Sequence, residues 1–203
     1  KLNLKDNFTI LYAGAIGQVN AVDELLDIAK VAMDKGKDYQ FLVMGKGSAL
    51  ANVLRKADEL ELNNFRFFDF GNKEKVRYLL NLSDMAFISF DHLPVLKTNS
   101  PNKFFDALAA GKAILVNHKG WVYELTKKYE LGIYHNPNKP EQTLDRIEKM
   151  LENDAMLQKY QQNSRNLALQ FFTKEMAIKR ILAVLDSKKF GNEFTDEVYI
   201  LTA

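Results

Sequence analysis

The chain has 203 residues, of which 47% are hydrophobic and 27% charged, and its formal net charge is +2. This composition is typical of a globular protein with a sizeable core, and the near-neutral balance argues against nucleic acid as a partner. The sequence contains no cysteine, which excludes disulfides and thiolate sites, and its three histidines are widely spaced, so we expect no bound metal. No stretch approaches the roughly 20 apolar residues of a membrane span, and no apolar signal core is visible, so we expect a cytoplasmic protein.

Apolar strand-like runs alternate with amphipathic helix-like segments from residue 8 to residue 134. Strands are predicted at residues 8–13, 39–44, 64–68, 84–90, 113–116 and 131–134. Helices are predicted at 19–33, from Gly47 to about 59, at 73–81, at 100–111 and at 121–128, and then without further strands at 141–152, 155–169 and 174–187. This alternation predicts an α/β fold with a doubly wound, Rossmann-like parallel sheet and extra C-terminal helices.

Two glycine-containing turns follow the first two predicted strands. The first runs from Gly14 to Gly17, and the second is Gly45-Lys46-Gly47. Ligands of open α/β sheets bind at the carboxyl ends of the strands, and glycines let the backbone approach a phosphate there. Neither turn has the full glycine fingerprint of a dinucleotide site or the lysine of a P-loop. A tight structural turn and a flexible turn with a solvated lysine therefore remain the alternatives.

The segment from Ser100 to Lys112, SPNKFFDALAAGK, is the most informative part of the sequence. Ser100 is a good helix N-cap, Pro101 suits the first helical position, and a glycine that can end the helix follows. The free N–H groups of such a helix start favour an anion, Lys103 adds positive charge, and Asp106 can accept hydrogen bonds from ribose hydroxyls. This combination suits a nucleotide sugar. The alternative is a simple capped helix with solvated charges.

No side chains that could carry out catalysis can be grouped from the sequence. It offers no paired carboxylates for acid–base work, no Ser/His/Asp set and no metal-ligand spacing. The residues therefore predict a binding site, and the catalytic residues stay unassigned.

Four stretches together resemble a known family. They are FTILYAGAIG, YQFLVMGKGS, NFRFFDFGNKEKVRYLLNLSDMAFISF and SPNKFFDALAAGKAILVN. In this order they are similar to the C-terminal, donor-binding domain of GT-B-type glycosyltransferases. The similarity is to family 4, the glycosyl transferases group 1, in particular its bacterial surface-polysaccharide members. It covers residues 8–185.

The resemblance implies a site for a nucleoside-diphosphate sugar, bound as substrate, with no further cofactor. Asp106 takes the place of the second of two family glutamates, which contacts the donor ribose, and Thr98 takes the place of the first. Gln18 and Asn20 stand where the family has a basic pair for the diphosphate, so we expect lysines and the helix N-terminus to supply the positive charge. The donor-binding set is then Gly14, Gly17, Gly45, Lys46, Gly47, Thr98, Asn99, Ser100, Asn102, Lys103 and Asp106.

The resemblance also implies a domain organisation. Residues 1–187 would form the donor domain, residues 188–203 a tail of unknown role, and the acceptor-binding N-terminal domain would belong to a longer protein. That protein would move a sugar, with retention of configuration, to a glycan or lipid-linked acceptor in polysaccharide biosynthesis. Peripheral association with the inner face of the membrane is compatible with such an acceptor. We expect the isolated chain to transfer little sugar.

Two other functions remain open from the sequence. One is half of a nucleotide-sugar epimerase, which would need catalytic groups from both halves of a GT-B fold. The other is a non-catalytic, flavodoxin-like module that binds a nucleotide or another protein. A response to nucleoside diphosphates separates the module from the enzymes.

Overall fold

A computed structural model of the protein describes residues 7–185. Its strands are β1 (Thr9–Ala15), β2 (Gln40–Lys46), β3 (Phe65–Asp69), β4 (Met85–Ile88), β5 (Ala113–Val116) and β6 (Gly132–Tyr134). Its α-helices are α1 (Glu24–Asp34), α2 (Leu50–Glu59), α3 (Lys73–Leu82), α4 (Asn102–Ala109), α5 (Trp121–Lys128), α6 (Pro140–Leu151), α7 (Asp154–Phe171) and α8 (Lys174–Leu185). Short 3-10 turns occupy Gln18–Asn20 and Pro94–Thr98.

The six strands form one parallel sheet in the order β3-β2-β1-β4-β5-β6. The chain winds outward from β1 in one direction, then returns and continues through β4 in the other. This confirms the predicted doubly wound, Rossmann-like α/β fold. The strand order reverses between β1 and β4, which is where open α/β sheets form their ligand crevice.

Alternating strand residues build two separate cores, one on each face of the sheet. Ile10 of β1 faces a core completed by α1, α2 and α6, whereas its neighbour Leu11 faces a core completed by α3, α4, α5 and the second half of α7. Most strand side chains are fully buried, and each buried Val, Leu, Ile, Phe or Met contributes about 1.5–3 kcal/mol. Packing in these two cores holds the strands in place, and this fixes the positions of the loops that follow them.

The first two strands are longer than predicted. Gly14 pairs with Gly45 and Ala15 pairs with Lys46, so both predicted turns begin inside the sheet. The prediction ended each strand at its last apolar residue. Pairing continues because Gly45 has no Cβ, which would lie 1.9 Å from the Gly14 carbonyl oxygen and push the strands apart.

Two helix starts also differ from the sequence prediction. A single helix was predicted over residues 19–33, but α1 begins only at Glu24, because Ala21 has a left-handed backbone conformation with φ of 45°. Ser100 was predicted as the N-cap before α4. The cap is instead Pro101, whose backbone is extended with ψ of 124°, while Ser100 is exposed and precedes the helix.

The predicted C-terminal helices are confirmed as α6, α7 and α8. The predicted last helix extends to residue 187 and the predicted tail covers 188–203, so residues 186–203 of these predictions lie outside the described part of the chain.

Candidate functional site

A cavity of about 320 Å³ opens at the carboxyl edge of the sheet, above β1 and β2 and beside the start of α4. We call it the edge pocket. Five of the predicted residues line it: Gly14, Gly45, Asn102, Lys103 and Asp106. The rest of its wall is largely apolar and consists of Tyr12, Ala13, Ala15, Asn20, Met44, Phe70, Val76, Phe90 and Pro101. The pocket lies at the point where the strand order reverses.

The glycines of the two turns have different roles. A Cβ on Gly45 would lie 1.9 Å from the Gly14 carbonyl oxygen, and one on Gly47 would lie 2.2 Å from the Ile16 oxygen. The absence of a side chain at these two glycines therefore allows close contact with the backbone at the end of β1 and in the turn after it. A Cβ on Gly14 would find its nearest neighbour, the Tyr12 hydroxyl, at 3.6 Å, so this glycine leaves open space in the pocket.

Lys103 places its amine deep in the edge pocket. Nζ lies 4.5 Å from the centre of the Tyr12 ring and 4.4 Å from that of Phe90, and it donates a hydrogen bond of 2.7 Å to the Ser89 carbonyl. The Tyr12 hydroxyl, 3.4 Å from Nζ, donates in turn to the Ala15 carbonyl. Burial lowers the pKa of Lys103 to about 7. The pocket thus holds a basic group that lacks a charged partner.

The start of α4 adds further donors beside this amine. Its N-cap, Pro101, provides no side-chain acceptor, and its carbonyl accepts from the Phe104 N–H at 3.0 Å, so among the described residues the N–H groups of Asn102 and Lys103 stay free to bind an anion. Asp106, one turn after Lys103, is largely exposed at the mouth of the pocket. Partial burial raises the pKa of its carboxyl, and the charge of Lys73 lowers it. The pocket therefore combines anion-binding groups with a carboxylate that can accept hydrogen bonds from hydroxyls.

The other six predicted residues are all described, and they lie outside the pocket wall. Thr98, Asn99 and Ser100 form the loop that leads into α4: the Thr98 hydroxyl donates to the Val95 carbonyl, and the Asn99 carbonyl accepts from the Trp121 indole at 2.9 Å. None of these three residues lines the edge pocket, and Thr98 and Asn99 make the contacts that hold the loop.

Of the remaining three, Gly17 and Gly47 belong to the adjoining turns. The Gly17 N–H donates to the Asn20 side chain at 3.0 Å, which closes the turn after β1. Lys46 lies at the rim, with its ammonium 4.4 Å from the centre of the exposed Phe70 ring. Lys46 itself does not line the pocket, but it contacts Phe70, which does.

A polar cluster next to the pocket, buried except for the exposed His92, was not predicted from the sequence. Glu24, at the first turn of α1, accepts a 2.7 Å hydrogen bond from the Asn117 amide. The same carboxylate lies 3.3 Å from His92 and 3.5 Å from His135. Burial raises the pKa of Glu24, whereas it lowers that of His135 to about 4. Only the fold brings these four residues together, because Glu24 begins α1, whereas His92, Asn117 and His135 follow β4, β5 and β6.

Asn117 connects this cluster to the pocket. Its amide oxygen accepts from the Phe90 N–H at 2.9 Å, and its amide nitrogen donates to the Phe90 carbonyl at 2.9 Å. The side chain thus extends the pairing of β4 and β5 beyond their last residues. It thereby holds the Phe90 ring beneath the Lys103 amine.

His118 is buried on the other side of Phe90, with the two rings in an edge-on contact at 5.1 Å. Neither ring nitrogen has a hydrogen-bond partner among the described protein atoms. Burial, together with the charge of Lys103, lowers the pKa of His118 to about 4. This histidine is neutral at physiological pH, so it adds no second positive charge beside Lys103.

Within residues 7–185, no group of three or more histidine, aspartate or glutamate side chains is arranged to hold a metal ion. None of the helices in the same range is both long and apolar enough to cross a membrane.

Comparison with known proteins gives one family match. A family model described as "Glycosyl transferases group 1" matches residues 1–167. The chain is also 23% identical over 190 residues to 2-deoxystreptamine N-acetyl-D-glucosaminyltransferase of Niallia circulans. That alignment covers 93% of this chain and 48% of the relative, so the chain spans about half the length of the curated relative that it matches.

Solved structures show the same fold at low sequence identity. HepE of Anabaena in complex with UDP and glucose has a TM-score of 0.74 at 16% identity, with 90% of this chain and 49% of that chain covered. The C-terminal domain of the glycosyl transferase group 1 protein LpcC of Francisella tularensis has a TM-score of 0.68 at 17% identity, with 82% and 87% covered. Both similarities concern the arrangement of the sheet and helices described above.

Proposed function

Since the chain belongs to the glycosyl transferases group 1 family and has the fold of a GT-B glycosyltransferase domain, we propose that it binds a nucleoside-diphosphate sugar in the edge pocket. It would act as the donor domain of a glycosyltransferase. The observation that carries the proposal is the position of Lys103, the free N-terminus of α4 and Asp106 around one cavity at the strand-order reversal.

Each part of such a ligand has a chemical counterpart in the pocket. The diphosphate would lie against the Lys103 amine and the first amides of α4, which bind oxyanions. The ribose hydroxyls would donate to Asp106, about one helical turn away. The apolar wall formed by Met44, Phe70 and Val76 offers a surface for the flat face of a base. HepE of Anabaena was solved with UDP, which supports a nucleoside diphosphate as the ligand class.

The contribution of this domain to sugar transfer would be electrostatic. As the bond between the sugar and the diphosphate breaks, negative charge develops on the leaving oxygens. Preorganised N–H donors and an ammonium at that position stabilise this charge. Groups that activate the acceptor would come from a second domain of a longer protein. Transfer with retention, to a glycan or a lipid-linked acceptor at the cytoplasmic face of a membrane, belongs to the same proposal.

The test is calorimetric titration of the chain with UDP, GDP and ADP, on the parent and on Asp106→Ala. We expect one nucleoside diphosphate to bind, and the substitution to weaken binding roughly 10- to 100-fold, the effect of a charge-assisted hydrogen bond. Asp34→Ala is the matched control, because Asp34 pairs with Lys30 on the exposed side of α1, away from the pocket. A folded chain that binds none of the three, or that binds equally well without Asp106, contradicts the proposal.

A further inference from the structure

We propose that Lys103 takes up a proton from solution when a nucleoside diphosphate binds, so that the ligand itself creates the cation that holds it. This inference rests on the proposed function, and it concerns the protonation state of the site, which the family membership does not specify.

The first argument is the surroundings of the Lys103 amine. Nζ is enclosed between the rings of Tyr12 and Phe90 and has one strong hydrogen bond, to the Ser89 carbonyl. A neutral amine can also make this bond, because it carries N–H donors. The two ring faces and the carbonyl favour an ammonium, but its enclosure removes its hydration, and this loss outweighs them and lowers the pKa.

The second argument is the charge that faces the amine from each neighbouring element. The end of β1 contributes the phenol of Tyr12, the end of β4 contributes only a carbonyl and a ring, and the loop after β5 contributes His118, which is neutral. The carboxylate on α4 itself is Asp106, and the charge that lowers its pKa is that of Lys73. In the described part of the chain, therefore, no carboxylate forms an ion pair with Lys103.

The protonation state follows from this environment. Burial lowers the pKa of Lys103 to about 7, so near neutral pH about half of the ligand-free molecules carry a neutral amine. A diphosphate beside Nζ favours the ammonium and raises that pKa again. The proton comes from the buffer and forms a third N–H bond on Nζ, and the charge of the ammonium is then balanced by a diphosphate oxygen.

Two measurable consequences follow. If binding restores the ordinary pKa, uptake is about a tenth of a proton at pH 6 and about nine tenths at pH 8. Affinity then falls as the pH rises above 7, by up to tenfold per pH unit. Ionisation of the ligand's terminal phosphate, with a pKa near 6, changes affinity in the opposite direction. The sign of the pH dependence therefore identifies the protein group.

The experiment is titration of the 203-residue chain with UDP, and with GDP and ADP if UDP does not bind, at pH 6 and pH 8. Each titration is repeated in two buffers with different heats of ionisation. We expect the apparent enthalpy at pH 8 to differ between buffers by nearly one ionisation heat. At pH 6, where the terminal phosphate of the ligand releases up to about half a proton on binding, the difference should be smaller and of opposite sign. Lys103→Arg, which stays charged, should bind without proton uptake, whereas the exposed-lysine control Lys30→Met should behave as the parent.

A second measurement needs no ligand. In the chain labelled with ¹³C-lysine, the signal that disappears in Lys103→Arg should titrate near pH 7 and shift to higher pH on addition of the nucleoside diphosphate. An ordinary lysine titration near pH 10 in the free chain, or nucleotide binding with equal heats in both buffers, overturns the inference and leaves the proposed function standing. Failure of every nucleoside diphosphate to bind contradicts both.

Discussion

At the scale of single residues, Gly14 and Gly45 face each other across β1 and β2 but differ in what a methyl group would meet. At Gly45 it would overlap the Gly14 carbonyl oxygen, which is rigid backbone held by the sheet. At Gly14 it would make only ordinary contacts with side chains of the pocket. Gly45 is therefore required by the fold, whereas Gly14 leaves open space in the edge pocket.

We expect Gly45→Ala to lower the free energy of unfolding by roughly 1–3 kcal/mol, because the two strand ends must separate to admit the methyl group. Gly14→Ala should stay within about 0.5 kcal/mol of the parent. Urea unfolding followed by circular dichroism measures both variants. Equal stability of Gly45→Ala and the parent would show that the strand ends move apart at little cost.

His118 is a buried base whose protonation opposes folding. Its pKa is about 4 in the folded chain and about 6.5 when exposed, so the unfolded chain binds the proton more tightly. Stability that is present above pH 6.5 is therefore lost as the pH falls towards 4.

His118→Phe should remove this part of the acid sensitivity. Because neither ring nitrogen has a partner among the described atoms, and because a phenyl ring can keep the edge contact with Phe90, we expect little change in stability at pH 8. At pH 4.5 the variant should lose about 2–3 kcal/mol less than the parent does. Thermal unfolding at the two pH values measures the difference. Equal losses in the two proteins would assign the acid sensitivity to other groups.

At the scale of secondary structure, the edge pocket depends on how β4 and β5 end. The two strands stop pairing at Ile88 and Val116, yet Phe90 must lie in a fixed position to enclose the Lys103 amine. Asn117 holds Phe90 in this position through two hydrogen bonds between its side-chain amide and the Phe90 backbone. Glu24 accepts a hydrogen bond from the same amide and fixes its orientation. The Asn117 side chain thus takes the place of the next pair of backbone hydrogen bonds between β4 and β5.

Asn117→Ala should therefore lower the free energy of unfolding by roughly 2–4 kcal/mol, since it leaves two buried backbone groups and a carboxylate without their partner. It should also weaken nucleotide binding, because Phe90 loses its support. Asn102→Ala is the control for stability, as this asparagine is exposed at the start of α4, and we expect a change within about 0.5 kcal/mol. Unfolding in urea compares the two, and a similar small effect in both would contradict the role of Asn117.

At the scale of the whole molecule, the winding of the sheet brings the site together. The groups of the edge pocket come from residues 12 to 106 in the sequence, and they meet because β1 and β4 are neighbours although two strands separate them along the chain. The two cores, one on each face, hold these strands in register. The packing of the strands in these cores therefore determines the position of each loop at the carboxyl edge of the sheet.

The sequence by itself determined the order of strands and helices and the parallel fold, and it singled out the segment around Lys103 and Asp106, which the fold places at the edge pocket. These features depend on local patterns: the spacing of apolar residues, the glycines after strands and the chemistry of a helix start. Element boundaries followed less well. A left-handed Ala21 and an extended Pro101 delay two helices, and the absence of a side chain at Gly45 lets β1 and β2 pair beyond their last apolar residues.

Only the tertiary structure decided which predicted residues share the pocket and what state their charges have. Thr98, Asn99 and Ser100 lie close to Lys103 in sequence but do not line the pocket, whereas Tyr12 and Phe90 are distant in sequence and enclose its amine. The physical reason is that burial and the distance to other charges set a pKa, and both depend on residues from several elements. A sequence shows that a lysine is present, but the packing around it sets the pKa of that lysine.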